Sequence, residues 1–306
     1  MIQVQYALRA LRAKSASVMK TNDSTNKLGK IGIGSWTFPW AVGTIPEQRP
    51  VHPLTPADLV RKARMLGAGV VQVVDNLPLD QVSQSELDAF RVAAGEAGIE
   101  LEIGTRGVQP SHLERYLEIA HSVGARLVRT MCGWHGAPPP LIEVERNLKE
   151  VLPNFEKAGI RVALENYEAY STRDLANLIQ AIDSPNLGVC LDLTNSFGAL
   201  ESAEEILDAL VPLTLNVHLK EFTIERIAYL MGFEFRGRPT GTGRLPIEKI
   251  FSRLHQAGRT PNVIVELWTP FAGSLEETLE LEESWARQSV AFLKELHWFG
   301  APGPRS

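Results

Sequence analysis

With 306 residues, 44% of them hydrophobic and 22% charged, the chain has the make-up of a globular protein with material for a large core. A formal net charge of -5 gives no long-range field to attract a polyanion, which argues against nucleic acid, and no apolar run approaches the roughly 20 residues that cross a bilayer. Cys132 and Cys190, the two cysteines, sit in or at the end of apolar runs, so no disulfide framework or zinc ribbon is indicated and a reducing cytoplasm is the expected location.

Residues 1–28 read as an N-terminal extension. They carry Arg9, Arg12, Lys14, Lys20 and Lys27 against a single acid, Asp23, a composition shared with transit peptides. A plain extension, or a start placed upstream of Met19, is the preferred reading. From Lys30 onward, short apolar runs alternate with longer segments of helical period. The first predicted strand is 31–34, followed by a loop with Trp36, Phe38, Pro39 and Trp40 and a helix that Thr55 and Pro56 open. Strands at 70–74 and 99–103 alternate with helices at 85–97 and 111–123, closed by Gly98 and Gly124. A fourth strand at 126–131 leads to a helix at 141–158, ended by Gly159, and to a fifth strand at 161–165. Strands at 187–193, 214–219 and 262–267 complete the set, with helices at 203–210, 245–257 and 275–296. Eight strand-helix units predict one α/β domain over 29–306, a single (β/α)8 TIM barrel. A doubly wound open sheet is the competitor, but it usually needs fewer units, and no Gly-rich phosphate fingerprint follows any strand.

In such a barrel the chemistry lies where the strands end, and the last four end around Glu165, Asp192, His218 and Glu266. A carboxylate at the end of an apolar run is costly to bury unless it is paired or coordinated. Three carboxylates and one imidazole on four consecutive strands resolve that cost together by holding one divalent cation: Mn2+, Co2+, Mg2+ or Zn2+. Any one of them alone reads more readily as a cap, a salt-bridge partner or a hydrogen-bonded structural acid; their joint order carries the argument. Side-chain alternation places Lys220 on the face of His218, Trp268 on that of Glu266 and Thr194 on that of Asp192. Lys220 can hold a substrate carboxylate, carbonyl or phosphate, or pair with a strand-end acid. Trp268 and Trp36, with Trp40, are candidate walls for a sugar, or packing residues.

At these residues the sequence resembles the xylose isomerase-like TIM barrels, a superfamily that includes ketose 3-epimerases, hydroxypyruvate isomerase, inosose dehydratase and endonuclease IV. The resemblance covers nearly the whole chain after Lys30, and the Gly-containing segment 239–243 looks like the family's loop before its last unit. It implies a metal at Glu165, Asp192, His218 and Glu266, a small-molecule carbohydrate substrate, and isomerase or epimerase chemistry through a metal-stabilised enediolate. Glu165 and Glu266 are then the catalytic acid-base pair. Two departures bear on the reaction. Epimerases and endonuclease IV commonly have a histidine where this chain has Asn195, a candidate substrate contact, and no counterparts of the endonuclease's further zinc ligands follow Gly237. The run after His218 is longer than in ketose epimerases and resembles a subgroup that includes 3-oxo-isoapionate decarboxylase. The alternative is therefore a metal-dependent decarboxylase or lyase of a 3-oxo sugar acid, with Lys220, Arg236 or Arg238 meeting the carboxylate. That longer run also reads as a lid or a subunit contact. A noncatalytic sugar-binding barrel is a third reading, and the sequence leaves the oligomeric state open, a homo-oligomer included.

Overall fold

The computed structural model describes residues 27–133, 138–229 and 231–300. Its first half alternates β1 (Ile31–Gly34), α1 (Pro56–Leu66), β2 (Val70–Val73), α2 (Gln84–Ala97), β3 (Glu100–Gly104), α3 (Pro110–Val123), β4 (Leu127–Thr130), α4 (Leu141–Ala158) and β5 (Arg161–Glu165). Then come α5 (Thr172–Ile182), β6 (Leu187–Leu191), the short α6 (Leu193–Phe197), α7 (Ala203–Leu210) and β7 (Thr214–Lys220). A hairpin of β8 (Phe222–Arg226) and β9 (Phe233–Gly237), then α8 (Ile247–Gln256), β10 (Asn262–Glu266) and α9 (Leu275–Glu295), complete the chain. Eight parallel strands close in the order β1-β10-β7-β6-β5-β4-β3-β2, which is the expected (β/α)8 barrel. The basic residues from Arg9 to Lys20 lie outside the described residues, whereas Leu28 is buried and its N–H donates to Trp298 O. Among the described residues no helix is long and apolar enough to cross a membrane.

Local chemistry sets the helix ends. Thr55 caps α1 by accepting from Asp58 N while the Asp58 carboxylate accepts from Thr55 N. Helices α1 to α4 stop at Gly67, Gly98, Gly124 and Gly159, all at left-handed φ, where a β-carbon is disfavoured. Helix α5, which the glycine punctuation does not delimit, starts from a Ser171 cap and ends at Asp183 with φ 54°. Asp and Asn reach that conformation at modest cost.

The expectations at β6 are corrected. Strand β6 ends at Leu191 because Asp192 turns the chain: its carboxylate accepts from Thr194 N and Asn195 N and starts α6. Thr194 therefore does not share a strand face with Asp192; its hydroxyl donates to Lys220 O at 2.7 Å. The long run after Lys220 folds into the antiparallel β8–β9 hairpin, in register from Phe222↔Gly237 to Arg226↔Phe233.

Alternation along each strand divides two environments. Ile33, Val73, Ile103, Leu164, Val217 and Val265 pack in the large core between strands and helices. Each such fully buried side chain contributes about 1.5–3 kcal/mol through removal from water. The positions facing the barrel axis are different: beside the small cluster of Leu127, Ala163 and Cys190 stand Gln72, Glu102, Arg129, Asn216 and His218, all buried. Barrel interiors are usually filled by branched apolar residues.

Candidate active site

The predicted quartet converges on one rim of the barrel. Glu165 ends β5, Asp192 follows β6, His218 lies on β7 and Glu266 ends β10. His218 Nδ1 stands 3.2 Å from Glu165 Oε2 and 3.1 Å from Glu266 Oε1. Potential ligand atoms of Asp192, His218 and Glu266 all lie within 4.8 Å of one another, and a second such group joins His218 to Glu165 and Cys190. Asp192 is held from behind by Asn166, whose amide donates to Asp192 O at 2.6 Å and accepts from Asp192 N at 2.9 Å.

These residues fit a divalent cation on their own chemistry. His218 Nδ1 and Asp192 Oδ2 are buried without a hydrogen bond, although Lys220 Nζ stands 2.8 Å from the latter. Buried polar atoms left in that state are rare and call for a partner. Three carboxylate groups and an imidazole nitrogen form a mixed hard-oxygen and nitrogen donor set. Cys190 is a poor addition to that set: burial pushes its thiol up to about 12, and its Sγ donates to Asn216 Oδ1.

The surrounding cations were only partly foreseen. Lys220, on the His218 face as alternation requires, also reaches Glu266 Oε2 at 3.0 Å, so it pairs with two acids of the quartet. Arg129, 2% exposed on β4, ion-pairs with Glu165 and places its Nη1 2.7 Å from Asp75 Oδ1. Asp75 in turn accepts from Arg106 at 2.8 Å. The sequence carried a signal for Arg129, a cation inside the apolar strand Leu-Val-Arg-Thr; Asp75 and Arg106, in the loops after β2 and β3, carried none.

Electrostatics follow from these partners. Burial raises the cost of a charged Glu165, yet Arg129, His218 and Lys220 outweigh it and hold the carboxyl well below its usual range. Burial pushes Asp192 up, reinforced by Glu165 and Glu266 and opposed by Lys220. Burial disfavours a charged His218, but Cys190, Glu266 and Glu165 lift it well above the ordinary imidazole value. A bound cation would compete with that proton at Nδ1.

A cavity of about 520 Å³ opens above the quartet. Glu165, Glu266, Lys220, Asn195, Trp36 and Trp268 line it, as do the unforeseen Arg106, Arg129 and Tyr167. Asn195, where epimerases commonly carry histidine, donates to Glu165 Oε1 at 2.8 Å and accepts from Lys220 Nζ at 3.3 Å. Trp268 is 39% exposed and its ring centroid lies 5.6 Å from Lys220 Nζ. Arg236 is not among the lining residues: it is exposed on the hairpin and paired with Glu234 and Glu225. Arg238 likewise pairs with Glu225. Trp40 is a packing residue, its Nε1 donating to Thr269 O and its ring 5.8 Å from that of Phe271.

Known proteins agree with this architecture. The chain is 37% identical over 263 residues to 3-oxo-isoapionate decarboxylase of Pectobacterium atrosepticum, a match covering 86% of this chain and 94% of that protein. A xylose isomerase-like TIM barrel protein from Mycobacterium smegmatis, solved in complex with magnesium, superposes with a TM-score of 0.63 at 18% identity, covering 87% of this chain and 98% of that one. D-psicose 3-epimerase from Clostridium cellulolyticum H10, solved with D-tagatose, gives 0.66 at 15% identity, with 86% and 97% covered. Residues 60–296 match the sequence profile described as xylose isomerase-like TIM barrel, and with the closed barrel around them they make the chain a member of that family.

Proposed function

We propose that the chain is a divalent-metal-dependent enzyme that removes carbon dioxide from a 3-oxo sugar acid. The observation that carries the reading is its 37% identity to 3-oxo-isoapionate decarboxylase over nearly the whole of that protein. Glu165, Asp192, His218 and Glu266 are the residues that would hold the cation. When bound, it supplies positive charge that draws electron density onto a substrate carbonyl oxygen.

The chain's own cations do the rest. In a 3-oxo acid the bond to the carboxylate carbon breaks, its electron pair moves into the neighbouring carbonyl to give an enolate, carbon dioxide leaves, and the enolate carbon then takes up a proton. Arg106 on the cavity wall, oriented by Asp75, is placed to hold the carboxylate, and the Lys220 ammonium to hydrogen-bond the developing oxyanion. Trp36 and Trp268 offer apolar faces to the sugar carbons. This reading needs no general base at Glu165, whose oxygens already accept from Arg129 and Asn195. The buried, unpaired thiols of Cys132 and Cys190 accord with a reducing cytoplasm.

A second reading, sugar isomerisation or epimerisation, is favoured by one feature: Glu165 and Glu266 both line the cavity beside the same histidine. They would then pass a proton off and onto a substrate carbon. Mn2+-loaded protein given a 3-oxo sugar acid should release carbon dioxide, with Arg106→Ala raising KM. Absence of release, together with solvent deuterium entering a ketose at the carbon next to its carbonyl and lost in Glu165→Gln and Glu266→Gln, would replace the first reading by the second.

A further inference from the structure

Below the acidic rim, the barrel interior contains a chain of hydrogen bonds whose direction is fixed at every link. It begins at a backbone donor, Lys30 N, which gives its proton to Asn262 Oδ1 at 2.8 Å. Asn262 must therefore present its amide Nδ2 to the other side, where it donates to Glu102 Oε1 at 2.8 Å. Glu102 Oε2 accepts from Asn216 Nδ2 at 2.7 Å and from Gln72 Nε2 at 3.0 Å. Gln72 Nε2 also faces Asn216 Oδ1 at 3.1 Å, so both neighbours of that atom are acceptors and it is the amide nitrogen. The remaining Gln72 atom, Oε1, is then a carbonyl oxygen, and it lies 2.7 Å from His218 Nε2. A carbonyl oxygen can only accept, so Nε2 of His218 carries a proton, and Nδ1 is the atom from which a cation would displace the other.

Gln72, Glu102, Asn216 and His218 are each no more than 3% exposed. Water is thus shut out as an alternative partner, and flipping any one amide would set donor against donor or acceptor against acceptor. At the far side of the ring, Nδ1 faces the Glu165 and Glu266 carboxylates and makes no hydrogen bond. We propose that Gln72 is a positioning residue for cation binding: by accepting from His218 Nε2–H, backed by Glu102 and Asn216, it leaves the Nδ1 lone pair aimed at the site between Glu165 and Glu266. Asn262 and Lys30 extend this control to the opposite rim of the barrel.

The inference rests on the cation reading above and is tested by binding rather than turnover. Mn2+ titrated calorimetrically into metal-stripped protein should bind Gln72→Leu about 10–100-fold more weakly than wild type, the usual effect of removing a partner behind a metal-binding histidine. Exchanging the two side chains, Gln72→Glu with Glu102→Gln, keeps an acceptor on Nε2 and a donor between positions 72 and 102, and should return the affinity toward wild type. Unchanged Mn2+ affinity in Gln72→Leu overturns the inference while leaving the cation site standing. If Gln72→Leu does not fold, long-range nitrogen NMR of zinc-loaded wild-type protein decides: a protonated Nε2 and unprotonated Nδ1 on His218 support the assignment, and the opposite tautomer overturns it. A wild-type protein that takes up neither Mn2+ nor Zn2+ overturns the cation reading and this inference with it.

Discussion

Burying Arg129 inside a strand costs several kcal/mol of hydration unless carboxylates meet it, and two do: Glu165 and Asp75, each no more than 5% exposed. Its guanidinium also donates to Thr105 O at 3.0 Å, so the charge is held on three sides. Removing the shared cation of such a group leaves the two acids buried with only their weaker support, Arg106 for Asp75 and Asn195 for Glu165. Arg129→Met should therefore lower unfolding free energy by about 3–5 kcal/mol in urea titrations at neutral pH. A loss of under about 1 kcal/mol, the usual value of an exposed pair, would show that Asp75 and Glu165 are satisfied without it. Single residues of this kind were unevenly legible beforehand. Glu165, Asp192, His218 and Glu266 stood out because each ends an apolar run, but that Arg129 meets Glu165 depends on β4 lying beside β5 with Arg129 opposite Ala163. Arg236 shows the converse: its position after His218 pointed to the substrate, and the hairpin turned it to Glu234 and Glu225 instead.

At the level of elements, punctuation residues made most boundaries readable. The sequence bounds α2, α3 and α4, which end in glycine, to within a residue, whereas it leaves open the end of α1 and does not delimit α5, ending at Asp183, or the hairpin, which alternates polar and apolar residues next to a loop. The Gly-containing loop at 239–243 is fixed by a buried acid: Glu221 accepts from Gly241 N at 3.0 Å and from Leu245 N at 2.8 Å. A β-carbon at Gly243 would lie 2.2 Å from Phe222 O and 2.5 Å from Glu221 Oε1, so backbone and acid would both have to move. Gly243→Ala should destabilise the protein by about 1–3 kcal/mol, the usual cost of overpacking. Gly95 is the control, since it lies within α2 and nothing stands within 4 Å of its would-be β-carbon. Gly95→Ala should gain about 0.5–1 kcal/mol from the lower backbone entropy of alanine. Equal effects of the two substitutions in one denaturation series would count against the loop's close packing.

On the scale of the whole molecule, the barrel exists only if its first and last units meet, and that seam was the least visible part of the sequence. Strand periodicity reads the same for residues facing the axis and the helices, so the polar interior of Gln72, Glu102, Asn216 and Asn262 could not be told from a solvated face until β1 was paired with β10. Hydrogen bonds outside the strands also stitch the seam. Thr37 Oγ1 donates to Val265 O at 2.5 Å, Trp40 Nε1 to Thr269 O at 2.7 Å, and the Glu282 carboxylate on α9 accepts from Trp40 N at 2.8 Å and Ala41 N at 3.1 Å.

Glu282 gives this closure a pH dependence. Burial pushes its carboxyl up to about 8, against the opposing pull of the Trp40 and Ala41 N–H groups and Lys62. The unfolded chain releases that proton near the ordinary value of 4.5, while the folded chain keeps it until about 8. Within that window the native state binds more protons than the unfolded one, so the stabilisation from Glu282 is full below 4.5 and is lost as the pH rises through 8. Glu282→Gln removes the titration and keeps one of the two acceptors, a loss that does not depend on pH and so leaves the slope unaffected. The difference in unfolding free energy, wild type minus variant, should accordingly fall between pH 5 and 8 at a slope of no more than about 1.4 kcal/mol per pH unit, the limit for a single proton. Taking the difference cancels the titration of the acidic rim, which both proteins share. A difference that stays flat across this range would mean that Glu282 is ionised in the folded protein throughout, and that the seam is held by a charged acceptor instead of a neutral one.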